Sequence, residues 1–150
     1  MKKPELLVTP KSVEHIKALI QAGADAFLIG EQQFGLRLAG EFNIEQITEA
    51  TKFIHHSGKK VYVAMNAIYH NDRVDRLASY MQKLSEIGVD AIVFGDPAVV
   101  MTKRETGIPI PLHWNPETIA TNWFQANYWG KRGATRAVLA RELSMDEIIE

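Results

Sequence analysis

Hydrophobic and polar positions along this chain follow two patterns in turn. Short apolar runs, typical of buried parallel strands, alternate with longer segments in which apolar residues recur every three to four positions, as on one face of a helix. Two of the short runs lie between glycines in nearly the same form, GADAFLIG at residues 23–30 and GVDAIVFG at residues 88–95. A glycine that ends a helix just before a buried strand is a common connection into a parallel sheet. The pattern therefore predicts a repeated strand–helix unit.

The same pattern places six strands and the helices between them. Weaker copies of the glycine–strand junction begin at Gly58, Gly107 and Gly133. Strands are predicted at residues 5–9, 26–29, 61–65, 91–94, 110–113 and 136–140. Helices are predicted at residues 13–22, 44–57, from Asn71 or Asp72 onward, 97–107, 122–131 and from Ser144 onward. The helix starts carry capping signals, namely Ser12, Asn43 with Gln46, Asp96 before Pro97, and Ser144 with Glu147.

Alternating strands and helices predict parallel strands joined by right-handed crossovers. The spacing between junctions, somewhat under thirty residues, is typical of a (β/α)8 barrel, which usually needs about 250 residues. The predicted fold class is α/β: an incomplete TIM-like barrel of about six parallel strands, with residues 1–150 as the N-terminal portion of one domain, truncated at the start of the sixth helix. A doubly wound open sheet is the alternative. The unpaired first and last strands predict self-association through their edges or a distorted, partly open sheet.

The composition limits the classes of function that this chain can have. The net charge is −1 and no extended basic cluster occurs, so a strong nucleic-acid footprint is absent, although a neutral total can still contain a small basic groove. The chain has no cysteine, which excludes disulfides, thiolate metal sites and a cysteine nucleophile within this segment. No apolar run has the length of a signal peptide or a membrane span. We therefore expect a soluble, cytoplasmic protein.

Candidate chemistry follows the ends of the predicted strands, where ligands bind in barrels and in open α/β sheets alike. Polar residues follow every strand: Thr9, Glu31, Arg37, Asn66, Asp96, His113, Glu117, Asn122, Arg141 and Glu142. From this set the candidate catalytic residues are Asp96 and Glu142. The candidate ligand-binding residues are Arg37, Asn66, His113, Asn122 and Arg141.

Several candidates also have a purely structural interpretation. Asp96 is either a helix cap before Pro97 or a catalytic carboxylate. His113 is either a hydrogen-bonded core residue or a ligand-binding group. Arg37 either pairs with Glu31 or binds an anion, since its planar fork matches a carboxylate.

Other chemistry has weaker support in the sequence. Arg141 and Glu142 either form a salt bridge at the barrel mouth or contribute to the ligand site. A metal site formed by His113, Asp96 and Glu31 is a further alternative. All five serines lie at helix starts, ends or faces, not on strand-end turns where a nucleophile would be placed. No zinc-protease or phosphate-binding glycine motif occurs.

Four segments, matching jointly and in order, carry a family resemblance: GADAFLIGEQQFGLRLAGEF, GKKVYVAMNAIYHND, LSEIGVDAIVFGDPAVV and RAVLARELSMDEI. They resemble the N-terminal part of the peptidase U32, or collagenase-like protease, family over almost the whole chain. By matching position, Arg37, Asn66, Asp96, Arg141 and Glu142 carry over as pocket residues. The family often has His-Leu-Ser-Thr-Gln at the fifth strand exit, where this chain reads His-Trp-Asn-Pro-Glu from residue 113, and this departure leaves the ligand contacts of that loop open.

The resemblance implies one of three functions. One branch of the family acts in tRNA wobble-uridine hydroxylation, which implies tRNA and a small carboxylate ligand as partners, with Arg37 and Arg141 facing the ligand. The family label implies instead a peptidase, here with carboxylates that activate water, and a paired family member implies a non-catalytic partner subunit. Some members use an iron–sulfur cluster, whose cysteines lie downstream of this segment. We expect the full-length protein to be the active form and the 150-residue segment alone to be inactive.

Overall fold

The computed structural model describes residues 2–149. Within them, strands and helices alternate along the chain. The strands are β1 Leu7–Val8, β2 Ala26–Ile29, β3 Lys60–Met65, β4 Ala91–Phe94, β5 Leu112–Trp114 and β6 Ala134–Ala137. The helices are α1 Val13–Gln21, α2 Ile44–His56, α3 Asn71–Val74, α4 Leu77–Ile87, α5 Pro97–Thr106, α6 Trp123–Gly130 and α7 Met145–Ile149.

All six strands are parallel and stand in chain order, β1-β2-β3-β4-β5-β6. A doubly wound sheet reverses its strand order at a switch point, and this sheet has no reversal. The prediction of an incomplete TIM-like barrel is therefore confirmed. Because every strand runs the same way, their carboxyl ends all lie at one end of the sheet.

The sheet is curled like the wall of a barrel. Its two edge strands would lie about 24 Å apart if six strands were laid flat at the usual spacing. Instead, the carboxylate of Glu5, just before β1, accepts a 2.8 Å hydrogen bond from the guanidinium of Arg136 in β6. The Tyr62 hydroxyl of β3 also donates to Glu5, at 3.0 Å. These polar side chains cross the concave face and tie the first strand to the last.

The core has two parts, one on each face of the sheet. The larger part lies between the convex face and the helices and contains Phe27, Val63, Leu84 and Phe94, all completely buried. The smaller part fills the concave face with Ala26, Tyr62, Ala91 and Val93. Successive strand residues point to opposite faces, so apolar residues at every strand position fill both parts, as the continuous apolar runs predict.

The predicted helix caps are present. Ser12 accepts from the His15 N–H at the start of α1, and Asn43 forms the reciprocal capping box with Gln46 at the start of α2. The Ser144 hydroxyl and the Glu147 carboxylate pair in the same way at α7. These caps confirm the helix starts predicted from local sequence.

One predicted helix is two helices in the structure. The segment after β3 forms α3 and, after a break at Asp75 and Arg76, α4. The predicted caps Asn71 and Asp72 are wrong, because His70 holds the capping position and makes no side-chain capping bond. The start of this segment is fixed from outside, since the neighbouring Tyr69 N–H donates to the carboxylate of Asp96. A contact with the next loop therefore positions α3.

Three strands differ by more than one residue from their predicted bounds. β1 covers only Leu7–Val8 of the predicted residues 5–9. β5 begins at Leu112 rather than at residue 110, because Pro109 and Pro111 have no N–H for the ladder. β6 ends at Ala137 rather than at residue 140, because the Ala140 N–H donates to the Ala120 carbonyl in the preceding loop.

The edges of the sheet carry exposed apolar side chains. Leu6 and Leu7 are exposed at the β1 edge. Val138 and Leu139, which follow β6, are also exposed. The partly open sheet predicted as one alternative is present, and self-association through these edges stays a prediction. Among residues 2–149, no helix has both the length and the apolar character needed to cross a membrane.

Candidate active site at the carboxyl ends of the strands

A cavity of about 450 Å³ opens where the strands end. We call it the mouth cavity. The loops after β2, β3, β4 and β5 all contribute to it. Its lining is Leu36, Asn66, Ala67, Ile68, Gly95, Asp96, Pro97, Asn115, Pro116, Glu117 and Ile119. Polar groups that lie far apart in sequence therefore converge on one space, as the parallel arrangement predicts.

The loop after β2 is packed tightly against β3. Gly35 lies so close to the Ala64 backbone that a Cβ there would be 2.8 Å from the Ala64 carbonyl oxygen. The preceding residue, Phe34, is buried and stacks on Tyr80 with 3.9 Å between ring centres. Glycine and the stacked ring thus hold the next residue of this loop, Leu36, in the wall of the mouth cavity, and Arg37 follows it in the chain.

Asn66 connects two of the loops. Its side-chain oxygen accepts a 2.8 Å hydrogen bond from the Leu36 N–H, and its side-chain nitrogen donates at 2.9 Å to the carboxylate of Glu117. Asn66 is itself buried. One amide at the end of β3 therefore fixes both the β2 loop and the β5 loop relative to each other.

Arg37 completes this cluster by pairing with Glu117. The guanidinium Nη1 lies 2.8 Å from the Glu117 Oε2. Both residues have left-handed backbone conformations, with φ of 56° at Arg37 and 68° at Glu117, which residues other than glycine rarely adopt. Such conformations concentrate at ligand-binding and active sites. The predicted Arg37–Glu31 pair is wrong, since the Glu31 carboxylate accepts instead from the Gln33 side chain.

Asp96 also lines the mouth cavity and accepts hydrogen bonds from two backbone groups. Its Oδ1 accepts from the Ala98 N–H at 2.9 Å, which caps α5, and its Oδ2 accepts from the Tyr69 N–H at 3.0 Å. The capping interpretation is confirmed, and the Asp96 carboxylate additionally fixes the β3 loop. A catalytic role for this carboxylate stays a prediction.

Tyr69, which contacts Asp96, is buried. Its hydroxyl donates to the Phe34 carbonyl at 2.6 Å. Burial, and then the nearby Asp96 carboxylate, raise the pKa of the Tyr69 hydroxyl well above its ordinary value. The neutral hydroxyl therefore acts as a fixed donor that joins the β2 and β3 loops.

His113 points into the concave interior and does not line the mouth cavity. Its ring meets the Tyr62 ring edge to face, with 4.7 Å between centres. Burial, followed by the neighbouring Arg136 guanidinium, lowers the pKa of His113 to about 4. The imidazole is therefore neutral near pH 7 and contributes no positive charge for an anion. Its predicted contact with a ligand stays a prediction.

The remaining predicted residues lie outside the mouth cavity. Asn122 caps α6 by accepting from the Gln125 N–H at 3.0 Å and lines a different cavity, of about 480 Å³, between α6 and α7. Arg141 and Glu142 are exposed in the turn after β6 and do not form an ion pair with each other. Their roles in binding and catalysis stay predictions.

The sequence did not single out two features of the cavity. The first is its apolar rim, formed by the exposed side chains of Leu36, Ile68 and Ile119. The second is Asn115, whose side chain accepts from the Glu117 N–H at 3.1 Å and so supports the left-handed turn. The Asn115–Pro116 dipeptide, a frequent turn signal, could have indicated that turn, whereas no local signal marks the rim.

The described residues do not form a metal or cluster site. Between residues 2 and 149, no three His, Asp or Glu side chains gather in a way that would hold a metal ion, so the site conceived from His113, Asp96 and Glu31 is not assembled. Iron–sulfur clusters need thiolate ligands, and this chain has no cysteine. Its own residues therefore do not fit such a cluster.

Comparison of the sequence with known proteins identifies relatives of this chain. The chain is 61% identical over 150 residues to tRNA hydroxylation protein P2 of Bacillus subtilis, covering 100% of this chain and 48% of that protein. It is 32% identical over 145 residues to the 23S rRNA 5-hydroxycytidine C2501 synthase of Escherichia coli, covering 96% of this chain and 22% of that protein. The chain thus spans about half the length of the first relative and less of the second.

A solved structure supports the fold. The U32 peptidase Mk0906 superposes with a TM-score of 0.73 at 15% identity, covering 93% of this chain and 61% of the other. The sequence model of peptidase family U32 matches residues 11–150 of this chain. The match includes every loop of the mouth cavity and all but the first strand of the curled sheet. The chain belongs to peptidase family U32.

Proposed function

We propose that this protein acts in the hydroxylation of the wobble uridine of tRNA, and that the mouth cavity holds a small anionic ligand needed for that activity. Support comes from relatives named for hydroxylation of tRNA or rRNA. A role on tRNA would place the protein in the cytoplasm. The chain spans only about half of the first relative, so the activity belongs to the whole protein, with this segment contributing the ligand site.

One observation carries the ligand assignment. The Arg37 guanidinium pairs with the carboxylate of Glu117, which lines the mouth cavity, and both residues have backbone conformations that non-glycine residues rarely adopt. Charge-assisted hydrogen bonds from guanidinium groups are strong and geometrically specific for carboxylates. Arg37 and Asn66 are therefore the first contacts of the ligand, while a contribution from Arg141 requires movement of the turn after β6.

A peptidase is the second candidate because the family is named for one. The mouth cavity is lined by no serine or threonine, so hydrolysis there would depend on water activated by Asp96 or Glu117. Both oxygens of Asp96 accept backbone hydrogen bonds, and the two Glu117 oxygens are engaged by the Asn66 amide and the Arg37 guanidinium. This arrangement favours ligand positioning over activation of water. The third candidate is a non-catalytic partner subunit, which would have the same mouth cavity but neither hydroxylation nor peptidase activity.

The experiment is mass spectrometry of tRNA nucleosides from a strain that lacks the gene. We expect 5-hydroxyuridine derivatives to fall in that strain and to return when the wild-type gene is supplied. Unchanged nucleosides together with cleavage of gelatin by the purified full-length protein would support the peptidase instead. Unchanged nucleosides without cleavage would contradict both activities and favour the partner subunit.

A further inference from the structure

Helix α6 exposes three aromatic rings on the outside of the barrel. Trp123, Phe124 and Tyr128 are 69%, 70% and 48% exposed. The fourth ring of this helix, Trp129, packs instead against core residues of β4 and β5. The fold therefore uses one of the four rings and leaves three in solvent. Contiguous exposed rings of this size mark a surface that binds a partner.

A cleft of about 300 Å³ lies beside the exposed rings. We call it the α6 cleft, and its lining is Trp123, Phe124, Asn127, Tyr128, Lys131 and Arg132. The Arg132 guanidinium lies 3.5 Å from the centre of the Tyr128 ring and donates to the Tyr128 carbonyl at 3.3 Å. The α6 cleft thus combines flat rings with a cation that is held in place.

The α6 cleft is positively charged. Residues 118–140 contain no Asp or Glu, although the whole chain has a net charge of −1. Within residues 2–149, neither Lys131 nor Arg132 forms an ion pair with a carboxylate. Aromatic rings beside cations bind single-stranded nucleic acid, because bases stack on the rings while the cations follow the phosphates.

The composition of α6 favours RNA over a protein partner. Its sequence, WFQANYWG, has four aromatic residues and no Leu, Ile, Val or Met. Aliphatic side chains would add contact area for a protein but offer no flat face to a base. The other cavity beside Trp123, between α6 and α7, contains Glu147, whose carboxylate repels phosphate. An RNA strand would therefore lie on the Tyr128 side of Trp123.

The α6 cleft begins close to the mouth cavity. Ile119 lines the mouth cavity, and α6 starts four residues later at Trp123. Since β5 and β6 are parallel, the helix between them runs from the carboxyl ends of the strands back to their amino ends, over about 12 Å. An RNA strand along α6 would therefore have one end beside the mouth cavity.

We propose that the α6 cleft binds unpaired nucleotides of an RNA, with bases stacked on Trp123 and Phe124 and a phosphate held by Lys131 and Arg132. This inference rests on the proposed function for RNA as the partner and adds the surface that the RNA contacts. Unpaired nucleotides bind best because their bases are free to stack on the protein, whereas the bases of a duplex are already stacked on each other.

The test measures dissociation constants by fluorescence anisotropy with the full-length protein. The probes are a labelled uridine decanucleotide, the same backbone without bases, and an RNA duplex of equal length. Trp123→Ala should weaken binding of the decanucleotide about tenfold, the loss of one base stack, and leave the abasic probe unchanged. Trp123→Phe keeps a ring and should restore most of the affinity. The matched control is Met101→Ala, which removes a side chain of a 60% exposed residue on α5 and should change nothing.

Arg132→Gln tests the phosphate contact separately. It should weaken both single-stranded probes alike and lower the slope of affinity against salt, on logarithmic scales, by about 0.7, the value for one phosphate of a single strand. Equal affinity for the probes with and without bases, unchanged binding in Trp123→Ala, tighter binding of the duplex, or no RNA binding would overturn the inference. Separation of a dimer into monomers by Trp123→Ala would also overturn it, since the surface would then join two copies.

Failure of this inference is distinguishable from failure of the proposed function. Loss of 5-hydroxyuridine derivatives in the strain that lacks the gene, with unchanged decanucleotide binding by Trp123→Ala, would refute the inference alone. Unchanged nucleosides, with weaker decanucleotide binding by Trp123→Ala, would refute the proposed reaction and retain the RNA surface on α6.

Discussion

Arg37→Gln is expected to reduce the 5-hydroxyuridine derivatives restored to tRNA by about 10- to 100-fold, the loss typical of removing a charged hydrogen-bond donor from its partner. The glutamine side chain is two bonds shorter and keeps part of the hydrogen bonding, but it lacks the positive charge that the proposed ligand would meet. The measurement is nucleoside mass spectrometry in the strain that lacks the gene, with each variant expressed at a low, limiting level.

The matched control for this prediction is Arg104→Gln. Arg104 is exposed in the last turn of α5, at the other end of the barrel, so its loss should leave the nucleosides at the wild-type level. Stability should change by no more than about 1 kcal/mol in either variant, since exposed ion pairs contribute little. Full restoration by Arg37→Gln would remove Arg37 from the binding site.

Gly35→Ala is expected to destabilise the protein by about 1–3 kcal/mol, the usual cost of forcing an extra methyl group into a packed site. The new Cβ would lie 2.8 Å from the Ala64 carbonyl oxygen and 2.9 Å from the Ala64 Cβ. Ala64 belongs to β3, which is hydrogen-bonded to strands on both sides and cannot move away. The β2 loop must shift instead, which weakens the hydrogen bond from the Leu36 N–H to Asn66 and lowers activity.

Gly130→Ala provides the matched control because a Cβ there would meet nothing within 4 Å. Gly130 ends α6, where alanine is neutral or stabilises the helix by up to about 1 kcal/mol. Denaturant unfolding of the two variants and wild type gives the comparison. Equal stability of Gly35→Ala and Gly130→Ala would show that the β2 loop is not packed on β3 as described.

The elements that sequence predicted well are those encoded by neighbouring residues. The capping box of Asn43 and Gln46 is complete within four positions, and β2 has the bounds that its apolar run predicts. Errors arose where distant contacts decide the local structure. The segment after β3 begins beside a backbone group, the Tyr69 N–H, that is held by Asp96, 27 positions away along the chain, and α3 there has no side-chain cap of its own.

The candidate site was predicted in part for the same reason. Arg37, Asn66 and Asp96 all follow strands, and parallel topology alone brings strand ends together. The partner of Arg37 depends on how the β5 loop turns, and that turn needs a left-handed glutamate, Glu117, which sequence propensity disfavours. Arg141 follows β6 at the edge of an open sheet, where topology alone does not bring it to the mouth cavity.

The central claim, that the loops after β2 and β5 meet at one mouth, can be tested most directly by thiol cross-linking. The chain contains no cysteine, so Leu36→Cys and Ile119→Cys would introduce a unique pair on the walls of the same cavity. We predict that a short thiol-specific linker joins this pair within one molecule, seen as a compact band and an intact mass one linker higher. Absence of that link, or equal linking of Leu36→Cys to Arg104→Cys at the other end of the barrel, would contradict the arrangement.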